Sequence, residues 1–215
     1  MAYHDTRFEY DNRRPLLWRT LCCSYFQRLV KTDDVVLDLG CGYGDFINHI
    51  RCARKIAVDQ WSGATDYLGQ DVEFHIGNIV DLSSIPDCSV DFVFASNLFE
   101  HLPKSEFADC LREIRRVLRA GGTLNILQPN YRFCCNEYFD DYTHVSIYSD
   151  RSLCDFLRVN GLRILDCKPR FLPLTIKSRL PVSPMLIRAY LASPLKPLAK
   201  QMFILAGVSC DLRSE

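Results

Sequence analysis

Residues 35–46 read VVLDLGCGYGDF. Val35 to Gly40 is a short β-branched run, the pattern of a buried strand. It runs into glycines at 40, 42 and 44, which permit a tight turn and let a ligand approach the backbone. The stretch from Gly42, GYGDFINHIRC, then reads as a turn opening into a helix. A lone G-x-G-x-G is weak evidence, and two aspartates sharpen it. Asp38 ends the strand, where a carboxylate reaches a ligand ammonium. Asp59 ends the next strand, KIAVD, 19 residues after Gly40, where an acid binds both hydroxyls of a ribose. A dinucleotide fingerprint needs a third glycine at 45. That position is Asp45, a poor neighbour for a pyrophosphate.

Outward from this turn the elements alternate. Pro15 to Val30 repeats apolar residues at three and four, a helix with one buried face. Strands follow at 55–59, 72–77 and 90–96. Lys104 to Leu118 is a strong helix that Gly121-Gly122 is expected to stop, and 122–129 is a fifth strand. Ser149 is placed to cap a helix through Leu157 that ends at Gly161. Leu162–Lys168 and Gln201–Val208 are the last two strands, an antiparallel pair at the sheet edge. Such alternation predicts an α/β fold with a mostly parallel sheet covered on both faces.

The chain has 215 residues, room for one domain. Positions 1–32 read as an arm and helix, its first dozen residues loosely docked, and 33–215 as the main domain. Lys plus Arg equals Asp plus Glu, 26 each, which argues against a nucleic-acid partner. Eleven cysteines occur without a CxxC pair, so zinc-ribbon spacing is absent. With no apolar stretch at the start, scattered thiols indicate free cysteines in a reducing, cytoplasmic setting.

Taken in order, VVLDLGCGYGDF, IAVDQ, FHIGNIVDL, SVDFVFASNLFEHL and LREIRRVLRAGGTLNILQPN resemble the class I S-adenosylmethionine-dependent methyltransferases, in particular the small-molecule, type 11-like family. The resemblance covers roughly residues 33 to 165. It implies a Rossmann-like doubly wound sheet of seven mostly parallel strands with an antiparallel edge strand. It implies S-adenosylmethionine as cofactor and a small-molecule acceptor. By resemblance, Asp38, Gly40, Gly42 and Gly44 line the methionine end, and Asp59 takes the ribose with Gln60 beside the adenine. Asn78 and Ile79 flank the adenine, and Asn97 faces the sulfonium. An oxidoreductase using NAD and a non-catalytic binding module are the competing readings. The first is disfavoured by Asp45 and by the lack of a Tyr-x-x-x-Lys after the fifth strand.

Two histidines are candidate catalytic bases. His101 lies just past the fourth strand, and His144 lies in the segment 129–149, which holds six aromatics and reads as the acceptor wall. Asn97-x-x-Glu100-His101 resembles a magnesium-binding Glu-x-x-Glu-His of some relatives. Asn97 replaces its first Glu and removes an anionic ligand, so no metal is expected. Between Cys167 and Cys210 there is no acid. Seven cations (Lys168, Arg170, Lys177, Arg179, Arg188, Lys196 and Lys200) alternate with apolar residues and prolines. This insert, 169–199, suits peripheral contact of 168–200 with an anionic membrane, or a saccharide or lipid-linked acceptor.

Overall fold

The computed structural model describes residues 10–174 and 182–208. Most of the N-terminal arm, Lys177 and Arg179 of the insert, and Cys210 lie outside them. The elements are α1 (Arg14–Ser24), β1 (Val35–Leu39), β2 (Arg54–Asp59), β3 (Val72–Ile76), β4 (Val90–Ser96), α2 (Lys104–Val117), β5 (Leu118–Pro129), α3 (Tyr131–Cys134), α4 (Asp150–Val159), β6 (Leu162–Pro173), α5 (Pro184–Ala192) and β7 (Ala199–Val208).

The seven strands stand in the order β3-β2-β1-β4-β5-β7-β6. The first five pair in parallel. β7 runs antiparallel to both β5 and β6. The reversed strand therefore lies one place in from the edge, and β6 is the outer strand.

Period-two alternation splits each central strand between two cores. Leu37 and Leu39 of β1, with Val93 and Ala95 of β4, meet Phe107, Cys110, Leu111, Ile114 and Val117 of α2 and Leu153 and Leu157 of α4. Val36, Phe92 and Phe94 point to the other face, against Trp18, Leu21 and Cys22 of α1 and Phe26. Burial at 107, 110, 111, 114 and 117 is the helical spacing that the sequence displays. Ser149 caps α4 in a reciprocal capping box with Ser152, as its position suggested.

Two local expectations are corrected. No α-helix follows the glycine turn; there is only a 3-10 turn, Ile47–His49. Phe46, Ile47 and Ile50 are all buried, so the segment sinks into the core instead of exposing one helical face. Phe46 stacks on Phe94 at 3.9 Å and anchors the turn to the sheet. Similarly, α2 ends at Val117 and not at the glycines. Leu118 is fully buried and pairs with Val90, so the chain enters β5 at once, and Gly121 at φ +82° lies within the strand.

Candidate active site

The glycine loop is built at the carboxyl ends of β1 and β2, where open α/β sheets bind ligands. Gly40, Gly42 and Gly44 all have positive φ, +64°, +50° and +68°. A Cβ on Gly40 would stand 2.7 Å from the Leu98 side chain. The three glycine amides are spoken for. Gly40 N–H donates to Val58 O at 2.8 Å, and Gly44 N–H donates to Cys41 O at 2.9 Å. Gly42 N–H donates to Asp59 Oδ2 at 2.8 Å. A pyrophosphate needs such amides as donors, and here they are turned inward.

Acids surround this loop. Asp38 is 2% exposed, and its Oδ2 has no hydrogen-bond partner. Burial pushes its carboxyl well above the usual range; nearby Asp45 adds to this, and the Ile47 amide opposes it. Asp45 is buried too and pairs with Arg14 of α1. A buried carboxylate oxygen without a donor is costly, and a ligand ammonium is the group that satisfies it. Asp59 accepts from Gly42 N–H and from Trp61 N–H, each at 2.8 Å. Each oxygen keeps lone-pair capacity for a ribose hydroxyl. Phosphate is disfavoured and a nucleoside bearing an amine is favoured, so the loop fits S-adenosylmethionine.

Around this loop the structure adds aromatics that no sequence motif marks. Tyr43, 7% exposed, packs edge-on against Trp61 at 5.1 Å and Tyr67 at 4.7 Å, and Tyr10 lies 5.2 Å from it. Gln60 is exposed, whereas Trp61, the next residue, is half-buried. Only the placement of Trp61 two residues after Asp59 hinted at this. Asn78 is exposed, and its Oδ1 accepts from Val80 N–H at 3.2 Å. The Ile79 side chain is 4% exposed and packs in the α2-side core with Leu82 and Ile85. Its expected contact with adenine is thereby restricted to main-chain atoms. Asn97 adopts φ +49°, a strained backbone that Asn tolerates better than most residues. Its N–H donates to Leu127 O, and its Oδ1 accepts from Gln201 Nε2 at 2.9 Å.

Beyond β4, the segment 129–149 folds back onto the turn Phe99–His101. The amides of Val145 and Ser146 both donate to Glu100 O at 3.0 Å, and Ser146 Oγ donates to Leu102 O at 2.6 Å. These bonds bring His101 and His144 together, with ring centroids 4.9 Å apart. Thr143 Oγ1 donates to Asp141 Oδ1 at 2.6 Å and lies 2.9 Å from His101 Nδ1. The hydroxyl proton is thus used, so His101 Nδ1–H is the donor. His144 Nδ1 meets Tyr138 O at 2.5 Å, and a carbonyl only accepts. In its neutral form each ring then carries its lone pair on Nε2. Burial, with His144 adding to it, lowers the pKa of His101, and Asp141 opposes the shift.

Glu100, named in the sequence only as part of a motif, is the buried member of this group. It is fully buried, and neither carboxylate oxygen has a hydrogen-bond partner. Burial pushes its carboxyl up to about 8. The wall itself is narrower than six aromatics implied. Tyr138 and Tyr148 belong to the core, and Tyr131 and Phe133 are half-buried, while Phe139 and Tyr142 are exposed at 55% and 70%.

Residues 37–126 match the family model described as a methyltransferase domain. The malonyl-[acyl-carrier protein] O-methyltransferase of Yersinia pestis is 37% identical over 98 residues, which cover 43% of this chain and 36% of that protein. The alignment thus spans about a third of that relative's length. An uncharacterized protein of Methanocaldococcus jannaschii is 28% identical over 174 residues, 80% of this chain and 72% of that one. Among solved structures, a SAM-dependent methyltransferase from Archaeoglobus fulgidus covers 95% of this chain and 96% of its own, with TM-score 0.67 and 22% identity. Another from Aquifex aeolicus covers 97% and 100%, with TM-score 0.64 and 17% identity. These two share the fold. Residues 37–126 thus match a methyltransferase-domain family, and the strand order and the amine-suited glycine loop agree with the class I S-adenosylmethionine-dependent methyltransferase fold.

Proposed function

We propose that this chain transfers the methyl group of S-adenosylmethionine to an oxygen of a small-molecule acceptor, a saccharide or a lipid-linked intermediate. The observation that carries the reading is the gathering of Glu100, His101 and His144 beyond β4, on the ligand-binding edge that also bears the donor loop. Bound, the donor supplies an activated sulfonium methyl, so the chain's own task is mainly alignment, worth up to ~7–11 kcal/mol in ideal cases. Asp38 and Asp59 hold the two ends of the donor. Asn97, pinned by Leu127 and Gln201, fixes the boundary between donor and acceptor sides. Phe139 and Tyr142 offer apolar surface to the acceptor. A hydroxyl must lose its proton to attack, and the histidine cluster is the group placed to receive it, a contribution of ~10²–10⁴-fold. The Yersinia relative is named an O-methyltransferase, and two solved neighbours are named geranyl diphosphate methyltransferases, one of them a C-methyltransferase. The geranyl diphosphate names support a small-molecule acceptor, and the Yersinia name supports oxygen as the methylated atom.

The test has two steps. S-adenosylhomocysteine should raise the melting temperature and NAD should not. Labelled donor incubated with a cell extract should then pass its methyl group to a small product that resists nitrogen-specific cleavage. Stabilisation by NAD alone, or donor binding without turnover in any extract, would defeat the reading.

Contact with an anionic membrane is the second part of the proposal. Met185, Leu186, Leu195 and Leu198 are 75%, 49%, 77% and 76% exposed on and after α5, beside Arg188. Most neighbouring cations are engaged within the protein: Lys168 by Asp166, Lys200 by Glu137, and Arg170 over Phe133. The apolar side chains thus carry most of the argument. No helix among the described residues is long and apolar enough to cross a bilayer. Flotation with phosphatidylserine vesicles at low salt should carry the protein upward; sedimentation of all protein would end this part.

A further inference from the structure

We propose that Glu100, His101 and His144 form a binding site for one divalent transition-metal ion of the zinc or ferrous type. One ligand atom from each residue lies within 4.8 Å of the others. Around a tetrahedral ion at ~2.0–2.1 Å the ligand atoms stand ~3.4 Å apart, so the side chains need close by less than ~1.5 Å. Glu100 and His101 come from the turn after β4, and His144 comes from the folded-back segment 43 residues further on.

Three independent features point to an ion. Glu100 is fully buried, and both of its oxygens lack a partner. A carboxyl group so placed is stabilised by a cation in contact with it. Each imidazole is held through Nδ1 by an oxygen: His101 by Thr143, itself oriented by Asp141, and His144 by the Tyr138 carbonyl. An outer hydrogen bond at one ring nitrogen is the arrangement that orients a metal-ligating histidine and raises its basicity. Finally, the donor set is two nitrogens and one oxygen. That composition suits zinc, iron or manganese, whereas magnesium and calcium take oxygen.

The expectation of no metal rested on Asn97 in place of a carboxylate. In the structure Asn97 Oδ1 is bonded to Gln201, and the third ligand is a histidine supplied from outside that motif. Three protein ligands leave coordination positions open, as in catalytic zinc sites. An acceptor oxygen or a water fills them. The site stands on the cluster; with an ion bound the two imidazoles are its ligands and no longer free bases, and the ion's use in acidifying the acceptor rests on the methyl-transfer reading.

The full-length chain, stripped with EDTA and dialysed, is titrated with zinc sulfate by calorimetry and loaded with cobalt(II) for absorption spectroscopy. The expected result is one zinc per chain and a cobalt spectrum without a thiolate charge-transfer band. Glu100→Gln and His144→Ala should each weaken zinc by more than the ~10–100-fold that loss of an outer-shell partner costs. Both should retain the thermal shift given by S-adenosylhomocysteine, which separates loss of metal from loss of the donor site. Should His144→Ala not fold, Glu100→Gln, a neutral isostere of a buried group, decides alone. Absence of stoichiometric zinc, undiminished affinity in Glu100→Gln, or a thiolate band from the cysteines would overturn the proposal.

Discussion

Replacing Gly44 by alanine tests how the donor loop is held. Gly44 has φ +68°, where an L side chain costs ~1–2 kcal/mol. The added Cβ would stand 2.7 Å from Asn48 Nδ2 and 2.7 Å from Leu68 Cδ2. Asn48 cannot move away without loss. Its Nδ2 donates to Tyr67 O at 2.9 Å, and its Oδ1 accepts from Gly69 N–H at 2.8 Å. At ~0.5–1.5 kcal/mol per bond, breaking both costs ~1–3 kcal/mol. The sum is ~2–5 kcal/mol. At ~2–4 °C per kcal/mol for a chain of this size, the melting temperature falls by ~4–20 °C. A double-mutant cycle isolates the mechanism. In an Asn48→Ala background the two bonds are already gone, so Gly44→Ala should cost only the strain and the Leu68 contact. The coupling should be ~1–3 kcal/mol by urea unfolding at constant m-value. A Gly44→Ala variant as stable as the parent, or an equal cost in both backgrounds, would refute the reasoning. Because the Asn48 bonds tie the loop to the segment after Asp59, Gly44→Ala should also weaken S-adenosylhomocysteine binding.

Two further outcomes follow from the same geometry. Asp59→Ala should weaken S-adenosylhomocysteine by ~1.5–3 kcal/mol in calorimetric titration, through lost charge-assisted bonds. Asp59→Asn should recover only part, since its amide cannot accept from both Gly42 and Trp61 N–H groups; unchanged affinity in Asp59→Ala would remove Asp59 from the site. Glu113 fastens the β3–β4 connection to α2, accepting from Leu82 N–H at 3.0 Å and from Arg116 at 2.7 Å. The Arg116 bonds hold its carboxyl below the usual range, and the Leu82 amide assists. A depressed carboxyl contributes its full stability above the unfolded value, about 4.3, and loses it as pH falls through the folded value. The stability difference between parent and Glu113→Gln should therefore shrink in acid; a difference independent of pH from 6 to 3 would contradict this.

Local rules carry most of the first five strands, α2 and α4. Their signals, β-branched runs, a 3/4 apolar repeat and a Ser cap, depend on neighbours within a few residues. The acid-flanked glycine turn was legible for the same reason: the positive φ of Gly40, Gly42 and Gly44 and the strand-end places of Asp38 and Asp59 are local properties. Where local rules failed, burial decided. The helix expected after Gly44 shrank to a 3-10 turn because Phe46 and Ile47 gain more by packing against Phe94 and α1 than by closing helical bonds. Leu118 left α2 early because the core beside Val90 takes its side chain. Ile79 likewise belongs to the α2-side core.

What the sequence determined by itself was the βα alternation, the acid-flanked glycine turn and hence the class of donor. Those features need only chain direction, short-range sterics and charge. Only the tertiary structure set β7 between β5 and β6, and only it brought His144 against His101 and the buried, unpartnered carboxyl of Glu100. That meeting depends on Val145, Ser146 and Thr143 bonding across to residues more than forty positions away. No periodicity encodes such a contact, because its energy comes from satisfying backbone and side-chain polar groups once both segments are already in place.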